Sequence, residues 1–457
     1  MITGMEMQLL LLMGFDMKKI ISFIIIGILI GCSFGVQGVF LKQTISESSE
    51  TTIMDLGDFL FDKKMEVLMK LAKFPSLSAC IIEGDEVTWS KQYGYYDLEN
   101  EKLATEHTIY NMGSISKTIT STALMQLWER GLFDLDDDVN TFLPFSLRNP
   151  NFPDDPITFR MLLSHSSSLN YDTMEYYWLN FSADPPFSFY PYPWLEEFLV
   201  PGGRWYYSAI WSDMYRPGEY PMYANVGFGI IGYLVELISG QDFLNYCKND
   251  IFTPLEMDHT GFNLSEFDID AVAIPYHHHN DEYLRINELY YMLGRYTPPG
   301  KYWRVRMYPV GGLYTTVSDL SHFFISHMNG GVWNGVRILE ENTVEEIHQI
   351  QPPGIPDQIG DPTYYGLGWT IIENPMIFNV TLSGHGGGSY GVNTWMYSIP
   401  NESVGVIFFS NGDTYYENTI LTSQFSQLIL KISFYQKAGF NLFSRIDFGM
   451  IGGEMII

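Results

Sequence analysis

Ser114 and Lys117 are the residues of this sequence best spaced to do chemistry together. Three positions apart on a helix, two side chains share a face, so the amine of one can reach the hydroxyl of the other. A serine hydroxyl attacks a carbonyl only when a neighbouring base takes its proton. Lysine serves as that base once its own pKa falls, which a dry pocket and the positive end of a helix both promote. The pair alone describes equally well a helix start carrying an ordinary surface lysine, so the surrounding elements must decide.

The helix that would carry the pair has Ile119, Ala123, Leu124, Leu127 and Trp128 on a wide apolar stripe and stops at Gly131. A stripe that wide predicts a buried helix, with a partly desolvated lysine near its start. Before it, an amphipathic pattern covers about Met54 to Lys73, and Leu77 to Ile82 and Glu86 to Tyr93 read as two strands around a turn at Glu83, Gly84 and Asp85. After it come helices at Ile157 to Leu163, Gly227 to Ser239, Phe243 to Ile251, Val317 to His327 and Glu340 to Ile350. Gly311 to Thr316 reads as a strand. The last third, Gly366 to Glu373, Ile377 to Ser383, Tyr390 to Ile399 and Val404 to Ser410, has the alternation of an antiparallel meander, closed by a helix at Asn418 to Lys437. Strands at both ends with helices between predict an α+β sandwich: one antiparallel sheet built from both termini, flanked by helices, with a mostly helical insertion at about 132–300. The expected catalytic domain is 54–437, and the apolar tail 438–457 has no assigned role.

Composition bounds the partners. A net charge of −28 argues against nucleic acid, whose phosphates need basic patches. Cys32, Cys80 and Cys247 cannot build a disulfide framework and have no zinc spacing, so no metal site is expected. His277, His278 and His279 are adjacent and cannot converge on one ion from a regular element; a mobile loop is expected there. Tyr, Trp and Phe crowd Asn170 to Met222, which reads either as loops over a pocket or as packing of an insertion.

Met17, Lys18 and Lys19 lead into an apolar run, Ile20 to Ile30, with the outline of an export signal at 1–32. Leu29, Ile30, Gly31 and Cys32 resemble the lipobox of bacterial lipoproteins, which makes Cys32 a lipid-anchor candidate; a retained membrane helix is the competing reading. Residues 33–53 then form an expected tether, and the protein is expected in the cell envelope or outside the cell.

Beyond the first pair, a series of segments appears in order: Leu162 to Leu169, Pro217 and Gly218, Tyr223 to Asn225, Pro254 to Met257, Gly311 to Leu313, and His385 to Gly387. Together with Gly113 to Lys117 they resemble the serine beta-lactamase and penicillin-binding protein superfamily, in its class C-related esterase and D-peptidase branch, over roughly Lys64 to Lys437. The resemblance implies that Tyr223 shuttles the proton and that Asn225 steadies the lysine and the substrate carbonyl. It further implies that His385, Gly386 and Gly387 form a substrate-facing strand, with the Gly388 amide joining that of Ser114 as an oxyanion hole. No cofactor is implied. Beta-lactamases usually begin that strand with Lys, Thr, Gly; His385 removes a fixed positive charge, so ester or short D-amino acid amide substrates are expected over beta-lactams. Tyr416, Glu417 and Asn418 repeat the tyrosine spacing but fall after the third element. Gly387 to Gly391 mimics a nucleophile elbow around Ser389, but no histidine follows it and a strand does. A relative without catalysis that binds wall peptides or a protein partner is the alternative function.

Overall fold

The structure, a computed structural model, describes residues 47–170, 179–180, 191–280, 282–292, 302, 304–305, 307–357, 363–373, 380–413 and 420–439. Cys32 and the leader, the tether as far as residue 46, the aromatic stretch from 171 to 178 and 181 to 190, the Tyr416 segment and the tail from 440 lie outside these residues. The described residues fall into two compact units, one ending at Met65 and one starting at Glu66. Helix α1 (Glu47–Ala72) starts earlier than the expected amphipathic pattern, so residues 47–53 are helical.

The larger unit is built on an eight-stranded antiparallel sheet. Strands β1 (Ser76–Glu83) and β2 (Glu86–Asp97) form a hairpin, and β3 (Lys102–Leu103) pairs with β2. Gly84 closes the hairpin with φ +65°, a left-handed backbone that favours glycine. Next come helices α2 (Ser116–Glu129) and α3 (Asn225–Ser239), strand β4 (Tyr276–His279), and helices α4 (Val317–Met328) and α5 (Glu341–His348). The chain then returns through β5 (Thr363–Tyr365), β6 (Thr370–Glu373), β7 (Thr381–Ser389), β8 (Val392–Ile399) and β9 (Val404–Ser410), followed by β10 (Gly412–Asp413) and helix α6 (Ile420–Lys437).

The sheet order is β5-β6-β7-β8-β9-β1-β2-β3, so the two ends of the domain meet where β1 pairs with β9, from Leu77 opposite Ser410 to Glu83 opposite Val404. Strand β9 is buried along its whole length, as its unbroken apolar run requires when both faces are covered. On one face Gly405 admits α4, since a Cβ there would lie 2.9 Å from the Phe324 ring. On the other, Phe434 of α6 lies 5.7 Å from Trp89 and 6.0 Å from Phe408 between ring centroids. The fold is the α+β sandwich expected from strands at both ends of the chain.

The three histidines are a correction. Tyr276–His279 is a strand, not a mobile loop: it pairs parallel with β10 and antiparallel with Glu282–Arg285. His277 is buried with its Nδ1 at 2.6 Å from the Asp413 carboxylate, and the same carboxylate accepts the Gly391 N–H. A buried acceptor beside the ring compensates for its desolvation, which is what lets a histidine occupy the core.

Candidate active site

The nucleophile turn is a single 3-10 turn, Gly113–Ile115, leading straight into α2. Gly113 takes φ +52°, and its N–H is held by the Asn111 side chain at 3.0 Å. Helix α2 is buried from Ser116 through Leu127, so each of its polar side chains needs a partner. Ser116 Oγ donates to the Gly113 carbonyl at 2.6 Å and accepts the Leu313 N–H at 3.0 Å, which ties the Gly311 to Leu313 segment to the turn. Thr120 donates to the Pro309 carbonyl and Ser121 to the Leu367 carbonyl.

On this helix Lys117 is fully buried, and its Nζ donates to Ser114 Oγ at 3.1 Å and to the Val310 carbonyl at 2.7 Å. Ser114 itself is only half-buried, so the hydroxyl meets the amine on one side and is accessible on the other. The Val310 carbonyl is a partner that sequence reasoning missed: a strand was expected from Gly311, but Tyr308–Gly311 is a helical turn and only Tyr314–Thr315 is strand. A backbone oxygen leaves no signature in residue type.

Tyr223 precedes α3, and Lys117 Nζ stands 5.0 Å from the centre of its ring and 5.9 Å from that of Phe228. Asn225 is the first residue of α3, half-buried. What fixes the tyrosine is His165, whose ring lies 4.3 Å from the Tyr223 ring. His165 Nδ1 accepts the Ala224 N–H at 3.1 Å, and its carbonyl accepts the Met222 N–H at 2.7 Å. The residue has φ +57°, turning the chain out of the short helix Phe159–Leu163. Burial, and then the nearby Lys117 ammonium and His385, hold its pKa well below the usual histidine value, so the ring is a neutral acceptor. In the sequence His165 lies unremarked within the Leu162 to Leu169 segment; the residue whose N–H it accepts lies 59 positions on.

Strand β7 supplies the opposite wall. Its first half is interior, paired with β6 from Glu373 opposite Thr381 to Thr370 opposite Gly384. From His385 to Ser389 its pairing among the described residues is with β8 alone. The nucleophile turn approaches this half: a Cβ on Gly113 would lie 3.2 Å from the Gly388 nitrogen, and one on Gly387 would lie 2.1 Å from the Met112 carbonyl oxygen. Glycine is required here because two backbones touch. Thr394 of β8 completes the joint by donating to the Met112 carbonyl at 2.9 Å. Gly388 is exposed, Gly386 and Gly387 half-buried.

His385 is buried, with its ring centre 6.2 Å from that of Tyr223. Its Nδ1 donates to the Gly386 carbonyl at 2.6 Å, an atom that only accepts, so the neutral ring keeps Nε2 as an acceptor. Burial first, then the Lys117 ammonium, push its pKa down to about 3. The position expected to lack a positive charge therefore lacks one at neutral pH. Tyr365 stands nearby, 4.8 Å from His165 between ring centres, and its hydroxyl donates to Asp357 at 2.9 Å. Among the described residues no cluster of side chains could hold a metal ion.

The structure thus brings Lys117 to the Ser114 hydroxyl, Tyr223 to Lys117, His385 to Tyr223, and the Gly387–Gly388 backbone to the turn that carries Ser114, from three distant parts of the chain. Comparison with known proteins finds similarity over most of the chain. The Beta-lactamase family matches residues 61–428. Protein flp of Staphylococcus aureus (strain N315) is 22% identical over 373 residues, covering 80% of this chain, while the chain spans 66% of that relative's length. Penicillin-binding protein 4* of Bacillus subtilis (strain 168) is 24% identical over 358 residues, covering 74% of this chain and 69% of the relative. Among solved structures, the octameric penicillin-binding protein homologue from Pyrococcus abyssi superposes with a TM-score of 0.63 at 24% identity, covering 82% of this chain and 77% of that one. The D-amino acid amidase from Ochrobactrum anthropi SV3, complexed with L-phenylalanine amide, does so with a TM-score of 0.59 at 18% identity, covering 81% and 99%. At these identities the two structures speak for the fold alone.

Proposed function

This chain belongs to the beta-lactamase family, and from that premise we propose that it is a serine hydrolase working through an acyl-enzyme on ester or short amide substrates of the D-amino acid type. The observation that carries the reading is the contact of Lys117 Nζ with Ser114 Oγ at 3.1 Å, beside the Tyr223 ring. Ser114 Oγ bonds to the substrate carbonyl carbon while its proton passes to the Tyr223 oxygen, whose ionised form the Lys117 ammonium stabilises, and the carbonyl electron pair moves to oxygen. The amides of Ser114 and Gly388 hold that oxyanion, with Asn225 and His385 orienting the substrate. The pair on oxygen then returns, the leaving group departs with the transferred proton, and water repeats the sequence to release the acid.

The neutral His385 ring favours substrates with no carboxylate at that end of the cleft, because a buried acceptor offers an anion nothing to bind. Poor turnover of beta-lactams belongs to the same proposal. We also propose that the domain works outside the cytoplasm, held by a lipid on Cys32, on the strength of the charged and apolar leader. Among the described residues no helix is long and apolar enough to cross a membrane.

The test is turnover of p-nitrophenyl esters, D-amino acid amides and nitrocefin by the purified protein. Ester or amide hydrolysis exceeding nitrocefin hydrolysis, and lost in Ser114→Ala, is expected; equal turnover by the variant removes the proposal.

A further inference from the structure

Two histidines outside the site, one buried and one half-buried, connect its two walls. His327 of α4 and His348 of α5 meet with Nδ1 of the first 3.3 Å from Nε2 of the second. At one end, His327 Nε2 lies 3.0 Å from Thr122 Oγ1, on the nucleophile helix five residues past Lys117. At the other, His348 Nδ1 lies 2.7 Å from Ser383 Oγ, two residues before His385 on β7. Thr122, His327 and Ser383 are all buried. His348 keeps some surface at the rim, but its ring packs 4.4 Å from Trp369, which also lies 4.6 Å from His327.

The direction of every link follows from one atom. Thr122 gives its single hydroxyl proton to the Thr118 carbonyl at 2.9 Å, an oxygen that can only accept. Its own oxygen must then accept from His327, which places a proton on Nε2 of that ring. A neutral ring carrying that proton has a bare Nδ1, so His348 donates from its Nε2. The Nδ1 of His348 is bare in turn, and Ser383 donates to it. Both rings are held neutral by burial, which lowers the pKa of His348 to about 4 and that of His327 well below the usual value, where the neighbouring His348 adds to the effect.

We propose that Ser383, His348, His327 and Thr122 form a one-way chain of hydrogen bonds that sets the distance between the helix carrying Ser114 and Lys117 and the strand carrying His385 and Gly388. The four are positioning residues: none touches the reacting atoms, and each acts through the backbone it braces. Among the described residues the strand half beyond His385 pairs on one side only, so a second brace adds to the Thr394 contact in fixing its spacing from the nucleophile turn. A chain with fixed proton order gives one, because reversing any single link leaves a buried donor or acceptor unpaired. The functional half of this inference rests on the hydrolase reading; the proton order does not.

Two measurements test it. Long-range proton–nitrogen NMR of the imidazoles of the intact protein at pH 7.5, assigned through His327→Gln and His348→Gln, is expected to show both rings neutral and protonated at Nε2. A Nδ1–H or doubly protonated form of either ring overturns the chain whether or not the protein hydrolyses anything. Thr122→Val keeps the shape of the side chain but removes the acceptor, while Thr122→Ser keeps the hydroxyl. With an ester substrate, Thr122→Val is expected to lower kcat roughly tenfold to a hundredfold, as small misplacements near reacting groups do. KM should stay within about twofold, and Thr122→Ser should restore kcat. A Thr122→Val enzyme with full kcat, or a Thr122→Ser enzyme as slow as the valine form, overturns the positioning role.

Discussion

Replacing Gly387 by alanine probes the joint on which the proposed oxyanion hole depends. A Cβ at that position would sit 2.1 Å from the Met112 carbonyl oxygen and 2.2 Å from Thr394 Oγ1, where real Cβ contacts essentially never fall below 3.0 Å. Met112 is two residues before Ser114, and its carbonyl already accepts from Thr394, so neither neighbour can swing away without breaking that bond. The strand and the nucleophile turn must therefore separate by roughly 1 Å, a displacement that can cost about a hundredfold in rate when it falls between reacting groups. Losing one oxyanion donor has a similar magnitude, about 10²- to 10³-fold. Overpacking should also lower stability by about 1–3 kcal/mol. Steady-state hydrolysis of a p-nitrophenyl ester, read beside a thermal melt, is the assay. Gly386→Ala is the steric control: its Cβ would find its nearest atom at 3.6 Å, so its melt should match that of the wild type. Wild-type kcat/KM in Gly387→Ala would refute the claim that the Gly388 amide is held in place by this contact.

Lys117→Met should fill the same buried volume and lower kcat by about 10²- to 10⁴-fold, the usual worth of a group needed for the proton transfer, with the melting temperature as the check that the fold survives. Acid should destabilise the domain for a separate reason. The folded His385 ring refuses a proton until the pH reaches about 3, whereas an unfolded chain takes one near the ordinary histidine value. Stability is then intact above neutrality and falls as the pH drops from the unfolded value toward the folded one, by roughly 2 kcal/mol at pH 5 from this ring alone. His165 and His327, lowered in the same direction, add to the loss. Urea unfolding at pH 7.5 and pH 5 measures it, and equal midpoints would contradict the burial of these neutral rings.

How far the sequence revealed this molecule depended on how local each signal is. Strand β9 was legible residue for residue, because a continuous apolar run between turn residues has few other interpretations. The buried character of α2 followed from its stripe, and Ser114 and Lys117 followed from one turn of helix. The earlier start of α1 was missed because Ser, Thr and Glu suit a tether as well as an exposed helix. The triple histidine was misread because the reason for burying His277 is Asp413, 136 residues away. Likewise His165 braces Tyr223 across a fold contact, and the Val310 carbonyl bonds Lys117 through an atom every residue possesses. Periodicity reports what a residue does within its own element; it is silent on partners brought by the fold.

The central claim is that Ser114 is the nucleophile, and trapping its acyl-enzyme tests this most directly. After reaction with a fluorophosphonate probe, intact-mass and peptide mass spectrometry should find one adduct, on the peptide containing Ser114, and none in Ser114→Ala. An adduct on another residue such as Ser389, or undiminished labelling of the Ser114→Ala protein, would contradict the account.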